Sequence, residues 1–198
     1  MLVGRCGKNT ANLYVLPPEA TGCLNSVEYR LLVKGFAVRQ TPFYERQREM
    51  RLVSISPVLL EAYSQDREVM HKAGRPYVLV IRLKYKERSL DFAVPIRSNI
   101  PAAAPKDQYF ALPPRPSTKP KNRHGLHYIK MFPVAKRYLL RYRTEGNLFA
   151  ELIQTIIEKN KKEIICACQR YLDDYAAGVR PPYATDLDLL VEKLDEMK

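Results

Sequence analysis

The chain has 198 residues, 46% of them hydrophobic, and carries 33 Lys and Arg against 21 Asp and Glu, a formal charge of +12. This length suits one compact domain, or one domain with an appendage, and no apolar run approaches the ~20 residues needed to span a bilayer; the first residues also lack the long apolar stretch of a secretory signal. The positive excess points to a polyanionic partner, most often nucleic acid, although charge alone fits a basic protein without such a ligand equally well.

Residues 1–49 read apart from the rest. NLYVL (12–16) and VEYRLLV (27–33) have strand patterns, with the loop PPEATG between them. From Phe43 the text turns polar and charged, and at Met50 the run MRLVSIS opens a fresh strand. A boundary near residue 49 thus separates an N-terminal extension, too small to hold a core alone, from a main domain of residues 50–198. The extension is either a true addition, packed on the main domain or loose, or translation begins at Met50.

SPVLLEAYSQ then predicts a helix, with Ser56 as N-cap, Pro57 at the first helical position and Val58, Leu59, Ala62 and Tyr63 on its buried face, ending before Gly74. PYVLVIRLKY (76–85) predicts a strand. KERS turns the chain, and SLDFAVPI (89–96) returns antiparallel, with Leu90, Phe92, Val94 and Ile96 on one face. Residues 101–123 are proline-rich and read as a long loop, a kind that is usually functional or mobile. LHYIKMFPV (126–134) predicts one more strand, and AKRYLLRYR continues the sheet or forms a short helix. Residues 147–178 predict helix, broken at EKNKK and capped by Gly178, with Leu148, Leu152, Ile156, Ile164, Cys168, Tyr171, Leu172 and Tyr175 at helical spacing. TDLDLLVEKLDEMK predicts a last, acidic amphipathic helix. There is no internal repeat.

The chemistry is concentrated in two places. From Arg115 to Arg143 there are nine Lys and Arg and no Asp or Glu, with Tyr128, Tyr138 and Tyr142 interleaved. Cations for backbone phosphates and rings for unpaired bases are what a single-stranded RNA groove needs. Lys119, Lys121, Arg123, His127, Tyr128, Lys130, Lys136, Arg137 and Arg141 are the candidate RNA-binding residues. The second place is the end of DFAVPIRSNI, where Arg97-Ser98-Asn99 follows a hydrophobic strand. Antiparallel pairing brings it back to Arg75, which precedes the first hairpin strand. A guanidinium fork can hold non-bridging phosphate oxygens, and Ser98 can donate a hydrogen bond to the same phosphate or help deliver a proton. His71 and His127 are candidate proton carriers.

Asp91 stands isolated in a strand, the other acids lie on helices, and none of the four cysteines has zinc-ligand spacing. A metal centre and a cofactor are therefore not expected, and the cysteine pattern reads as a reduced, cytoplasmic chain. A nuclease built this way would use the RNA 2′-OH as its nucleophile, leaving a 2′,3′-cyclic phosphate and a free 5′-OH. The other open reading is a non-catalytic RNA-binding regulatory module that uses only the basic stripe.

The succession MRLVSISPVLLEAY, RPYVLVIRL, DFAVPIRSNI, HGLHYIKMFPV and a long helical C-terminal region resembles the ToxN/AbiQ family, over roughly residues 50–178. These are endoribonuclease toxins of type III toxin–antitoxin systems, also known as phage abortive-infection proteins. The resemblance implies an α+β fold, a strongly bent antiparallel sheet like that of the small-barrel ribonuclease toxins, surrounded by helices. It implies metal-independent RNA cleavage and inhibition by a small pseudoknot RNA antitoxin made from a repeat transcript, with toxin and RNA in a closed assembly and no membrane. It places the catalytic Ser at Ser98 beside Arg97, and a family lysine at Arg75. A family tyrosine falls close to His71. The lysine two places after the serine falls at Ile100, so its role would pass to Lys106 or Lys130.

Overall fold

The computed structural model describes residues 50–197 apart from Ala73. The expected strands at 12–16 and 27–33, and the extension as a whole, lie outside the described residues.

Among the described residues, seven antiparallel strands form one sheet: β1 (Arg51–Ile55), β2 (Tyr77–Tyr85), β3 (Arg88–Ile100), β4 (Tyr109–Leu112), β5 (Arg123–His127), β6 (Phe132–Val134) and β7 (Leu139–Arg141). The order is β4-β5-β3-β2-β1-β7, with β6 also on β3. The sheet is not closed, because β4 and β7 end the path. β3 is its spine. One edge of β3 meets β2 from Arg88 to Pro95, and the other meets β6 at Asp91–Ala93 and then β5 from Ile96.

Both faces of the sheet are covered. The strands alternate as period 2 demands: Val78, Val80, Phe92, Val94 and Ile96 enter one cluster, whereas Tyr77, Leu79 and Ala93 enter the other. Helices α2 (Leu148–Lys159) and α3 (Lys161–Ala176) supply Ile153, Ile157, Ile164, Ile165, Cys168, Tyr171 and Leu172 to the first. Helix α1 (Pro57–Ala62) and the C-terminal α4 (Leu187–Glu196) supply Leu59, Leu60, Leu190 and Leu194 to the second. There the ring of Phe132 meets those of Tyr63 and Tyr77 in T-shaped contacts, with centroids 5.6 and 5.4 Å apart.

The hairpin, β1, the helix break at Asn160 and the C-terminal helix agree with the sequence reading. Gly178 (φ +92°) ends α3: its N–H reaches the Tyr175 carbonyl while Val179 reaches Asp174, a Schellman closure. Helix α1 ends before Gly74 as expected, at Ala62, with Tyr63 already at its C-cap. Beyond it, the buried Asp66 carboxylate accepts from the N–H groups of Glu68 and Asp186 and draws the chain into turns. Other elements differ. Ser56 makes no side-chain cap, and Val58 points to solvent while Leu60 is buried. β3 does not end at Ile96 but runs on through Ile100. The proline-rich loop contains β4. The run 126–134 is not one strand; a 3-10 turn at Tyr128–Lys130 divides β5 from β6. AKRYLLRYR gives both a 3-10 turn (Lys136–Tyr138) and a strand. On α2 the buried face is Ala150, Ile153 and Ile157, and Leu148 and Leu152 lie on the outer side.

Candidate active site

The end of β3 holds a corner of polar groups. Pairing with β5 matches Arg97 to Gly125 and Ile100 to Arg123, so one extra residue is inserted on β3 at Ser98-Asn99. This is a β-bulge, which re-aims side chains and breaks the ladder locally. It is why a hydroxyl and an amide can follow the buried run 92–96 without pointing into the core. β5 can lie this close to β4 because residue 125 is glycine: a Cβ there would fall 2.2 Å from the Phe110 carbonyl oxygen.

Two guanidinium groups flank the bulge. Arg75 Nη1 donates to the Ile96 carbonyl at 3.3 Å, and its buried Nε has no hydrogen-bond partner. Partial burial lowers its pKa, and the nearby Arg97 pulls the same way. Arg97 Nη1 lies 3.3 Å from His127 Nδ1. Because a guanidinium can only donate, Nδ1 is the acceptor and the imidazole proton sits on Nε2. His127 is 3% exposed. Burial, then Arg97 and Lys130, bring its pKa down to about 3, so the ring is neutral.

Asn99 is not among the residues the sequence singles out for the site, yet it organises this end of the sheet. Its Oδ1 accepts from the Lys119 N–H at 2.9 Å and from Asn122 Nδ2 at 3.4 Å, and its Nδ2 donates to the Ser117 carbonyl at 3.5 Å. One side chain therefore fastens the cationic loop to the residue next to Ser98. The only sequence signal is its place in Arg97-Ser98-Asn99; its partners are 18 to 23 residues away.

The candidates separate into those the fold gathers and those it does not. Arg75, Arg97, Ser98 and His127 share the corner. Lys119, Lys121 and Arg123, all exposed, approach it through the loop and the start of β5. His71 is exposed, and its Nε2 lies 3.4 Å from the Asp66 carbonyl. Tyr128 is buried in the first core cluster and offers no face to a base. Lys130 is buried too, paired with Glu68 and donating to the Tyr183 carbonyl, so it is not a free phosphate ligand and cannot take over from a lysine at Ile100. Ile100 itself is fully buried. Lys106 is exposed in a 3-10 turn. Lys136, Arg137 and Arg141 stand before and on β7, which β3, β2 and β1 separate from β5 in the sheet. Arg137 lies over the Tyr138 ring, and Arg141 is paired with Glu145. The basic stripe of the sequence is thus two clusters at different edges. A cleft of about 500 Å³ between β1, β7 and α2, lined by Arg51, Arg141, Tyr142, Gln154 and Glu158 among others, shares no residue with the corner.

Among the described residues no three His, Cys, Asp or Glu side chains gather as metal ligands do. Asp91 is structural. Its Oδ1 accepts the N–H of Arg82, which has φ +56° in the bulge where β2 skips from Val80 to Leu83.

No family model and no curated protein matches the chain. Its fold is nonetheless one shared with solved proteins of bacterial antiviral and type III toxin–antitoxin systems. AbiQ, a lactococcal anti-phage endoribonuclease of a type III toxin–antitoxin system, superposes with a TM-score of 0.59 at 15% identity, over 76% of this chain and 99% of AbiQ. A structure from a bacterial antiviral system regulated by a processed non-coding RNA gives 0.55 at 15%, over 74% of this chain and 98% of that one. A third, from a type III system in which a non-coding RNA pseudoknot selectively inhibits the toxin, gives 0.55 at 16%, over 75% and 98%. The likeness to ToxN/AbiQ structures expected from the sequence is borne out as a likeness of fold. Among the described residues no helix is long and apolar enough to cross a membrane.

Proposed function

We propose that this chain is an endoribonuclease toxin that cuts RNA without a metal ion, is held inactive by a small pseudoknot RNA in a closed toxin–RNA assembly, and acts in the cytoplasm in abortive phage infection. The observation that carries the reading is the β-bulge at Ser98-Asn99, with Arg97 and Arg75 at the end of the same strand and the Lys119 loop tied to Asn99. In the proposed reaction the 2′-OH loses its proton as O2′ bonds to phosphorus. The P–O5′ bond breaks, and O5′ leaves as a hydroxyl after taking up a proton. Two negative charges crowd onto the phosphorane, and Arg97 and Arg75 are the groups to meet them. Ser98 donates to a non-bridging oxygen or relays the proton. His127 is a positioning residue: kept neutral, it accepts from one Arg97 N–H and aims the rest of the fork outward.

Expression of a Ser98→Ala chain tests this. Growth inhibition is expected to disappear while the purified variant melts like the parent and still binds RNA. Undiminished toxicity would remove Ser98 from the reaction. RNA binding without cleavage by the parent chain would favour a regulatory RNA-binding module, a reading helped by the buried Ile100 and the engaged Lys130.

A further inference from the structure

Arg115 is held in a way the phosphate-binding reading does not use. Its guanidinium carbon lies 5.1 Å from the centre of the Phe149 ring. Among the described residues it has no ion pair and no side-chain hydrogen bond, in a protein where Lys86, Arg88, Arg141 and Arg180 all find carboxylates. The backbone beneath it is fixed: the Arg115 N–H donates to Thr118 Oγ1 at 3.0 Å and its carbonyl accepts from the Thr118 N–H at 2.8 Å. Phe149 is fixed as well, half-buried against the core, with its ring 5.8 Å from that of His124. The preceding residue, Leu148, is 83% exposed at the start of α2.

This shelf is tied to the corner from two sides. His124 on β5 lies between Arg123 and Gly125, the residues paired with Ile100 and Arg97, so it stands opposite the Ser98-Asn99 bulge. The Arg115 loop is fastened to Asn99 through Lys119 and Ser117. A planar cation held over an aromatic ring, beside exposed apolar surface and one strand from a phosphate-handling corner, suits a flat apolar ligand attached to a phosphate chain. The geometry points to a subsite for one unpaired RNA base, stacked on the Arg115–Phe149 shelf next to the phosphate held at Ser98. It rests on the RNA-cleaving reading and adds a contact that would choose among bases, because stacking strength differs between purines and pyrimidines whereas phosphate contacts do not.

The test compares two single-stranded 12-mers, oligoadenylate and a fully abasic ribose-phosphate chain, bound at one salt concentration to a Ser98→Ala chain. The affinity ratio isolates what the bases add, and loss of a charge affects both probes alike. Adding Arg115→Gln, on a loop where folding is not at risk, is expected to cut the ratio about 5-fold or more, in line with the worth of one stacked base. Phe149→Leu, which keeps apolar volume under the shelf, is expected to do the same. A ratio unchanged in both variants overturns the subsite and leaves the Arg115–Phe149 pair as packing. Cleavage by the parent chain is scored separately: its absence would count against the nuclease, while the ratio still decides the shelf.

Discussion

His127 is a buried imidazole between two cations, Arg97 and Lys130, and it stays neutral because protonation there would be opposed by burial and by both charges. Its pKa of about 3 lies below the ordinary 6.5. Between those values the unfolded chain holds a proton that the folded chain refuses, so unfolding takes up a proton and acid favours it. The contribution is full above about pH 6.5 and is lost as pH falls toward 3, with a slope of up to about 1.4 kcal/mol per pH unit. Urea unfolding of the parent chain and of His127→Gln at pH 7 and pH 5 is expected to show the smaller acid loss in the variant. His124 is shifted in the same direction by its burial and remains in both, so the difference shrinks without vanishing. Equal losses would mean that His127 takes up its proton in the fold as readily as in the unfolded chain. At this scale the sequence is legible where a residue's neighbours are local. Arg97-Ser98 stands out as polar groups closing a hydrophobic strand, and Arg75 follows from hairpin pairing. Lys130 and Tyr128 mislead because nothing in HYIKM marks a 3-10 turn whose lysine pairs with Glu68, 62 residues earlier.

The elements are joined by backbone contacts that side chains complete. Gln154 on α2 accepts the Leu52 N–H and donates to the Met50 carbonyl, at 3.0 and 2.7 Å. Gln169 on α3 does the same for the N–H and carbonyl of Lys84, at 2.9 and 2.8 Å. Each amide stands in for a missing strand neighbour, which sets both helices against the sheet. Where β4, β5 and β3 meet, closeness is allowed by Gly125. Gly125→Ala would push a methyl group into the Phe110 carbonyl, a backbone atom that cannot swing aside. A loss of roughly 1–3 kcal/mol is expected by analogy with overpacked cores, read as a lower melting temperature together with weaker RNA cleavage. Unchanged stability would mean that the two strands have room to separate. The strong periodic elements are readable: the hairpin alternates, and the last helices carry apolar residues at helical spacing with a break at a polar run. β4 is not, since four residues between prolines become a strand only because β5 is there to pair with them. Leu148 and Leu152 fit the helical period as well as Ile153 and Ile157, and spacing alone does not say which stripe meets the core.

Over the whole of the described domain, a sheet with helices on both faces leaves the end of β3 as the place where backbone irregularity, cations and a hydroxyl coincide. The net charge of +12 gives long-range attraction for RNA, but its distribution decides what touches it. Lys119, Lys121 and Arg123 are exposed beside the corner, whereas Arg141 at the β7 edge is already paired with Glu145. For a single strand the slope of log affinity against log salt changes by about 0.7 for each phosphate contact. Replacing Lys119, Lys121 and Arg123 together by Gln is therefore expected to lower the slope by roughly 2, and Arg141→Gln to change it little. The reverse ranking would move the RNA to the other edge of the sheet. The most direct measurement is incubation of the purified chain and of its Ser98→Ala variant with RNA in excess EDTA, with the new ends identified chemically. Cleavage by the parent to 2′,3′-cyclic phosphate and 5′-hydroxyl ends, absent in the variant, is the expected result. Cleavage that needs a divalent ion and leaves 5′-phosphate ends, or that survives in Ser98→Ala, would contradict a metal-independent site at the β3 bulge.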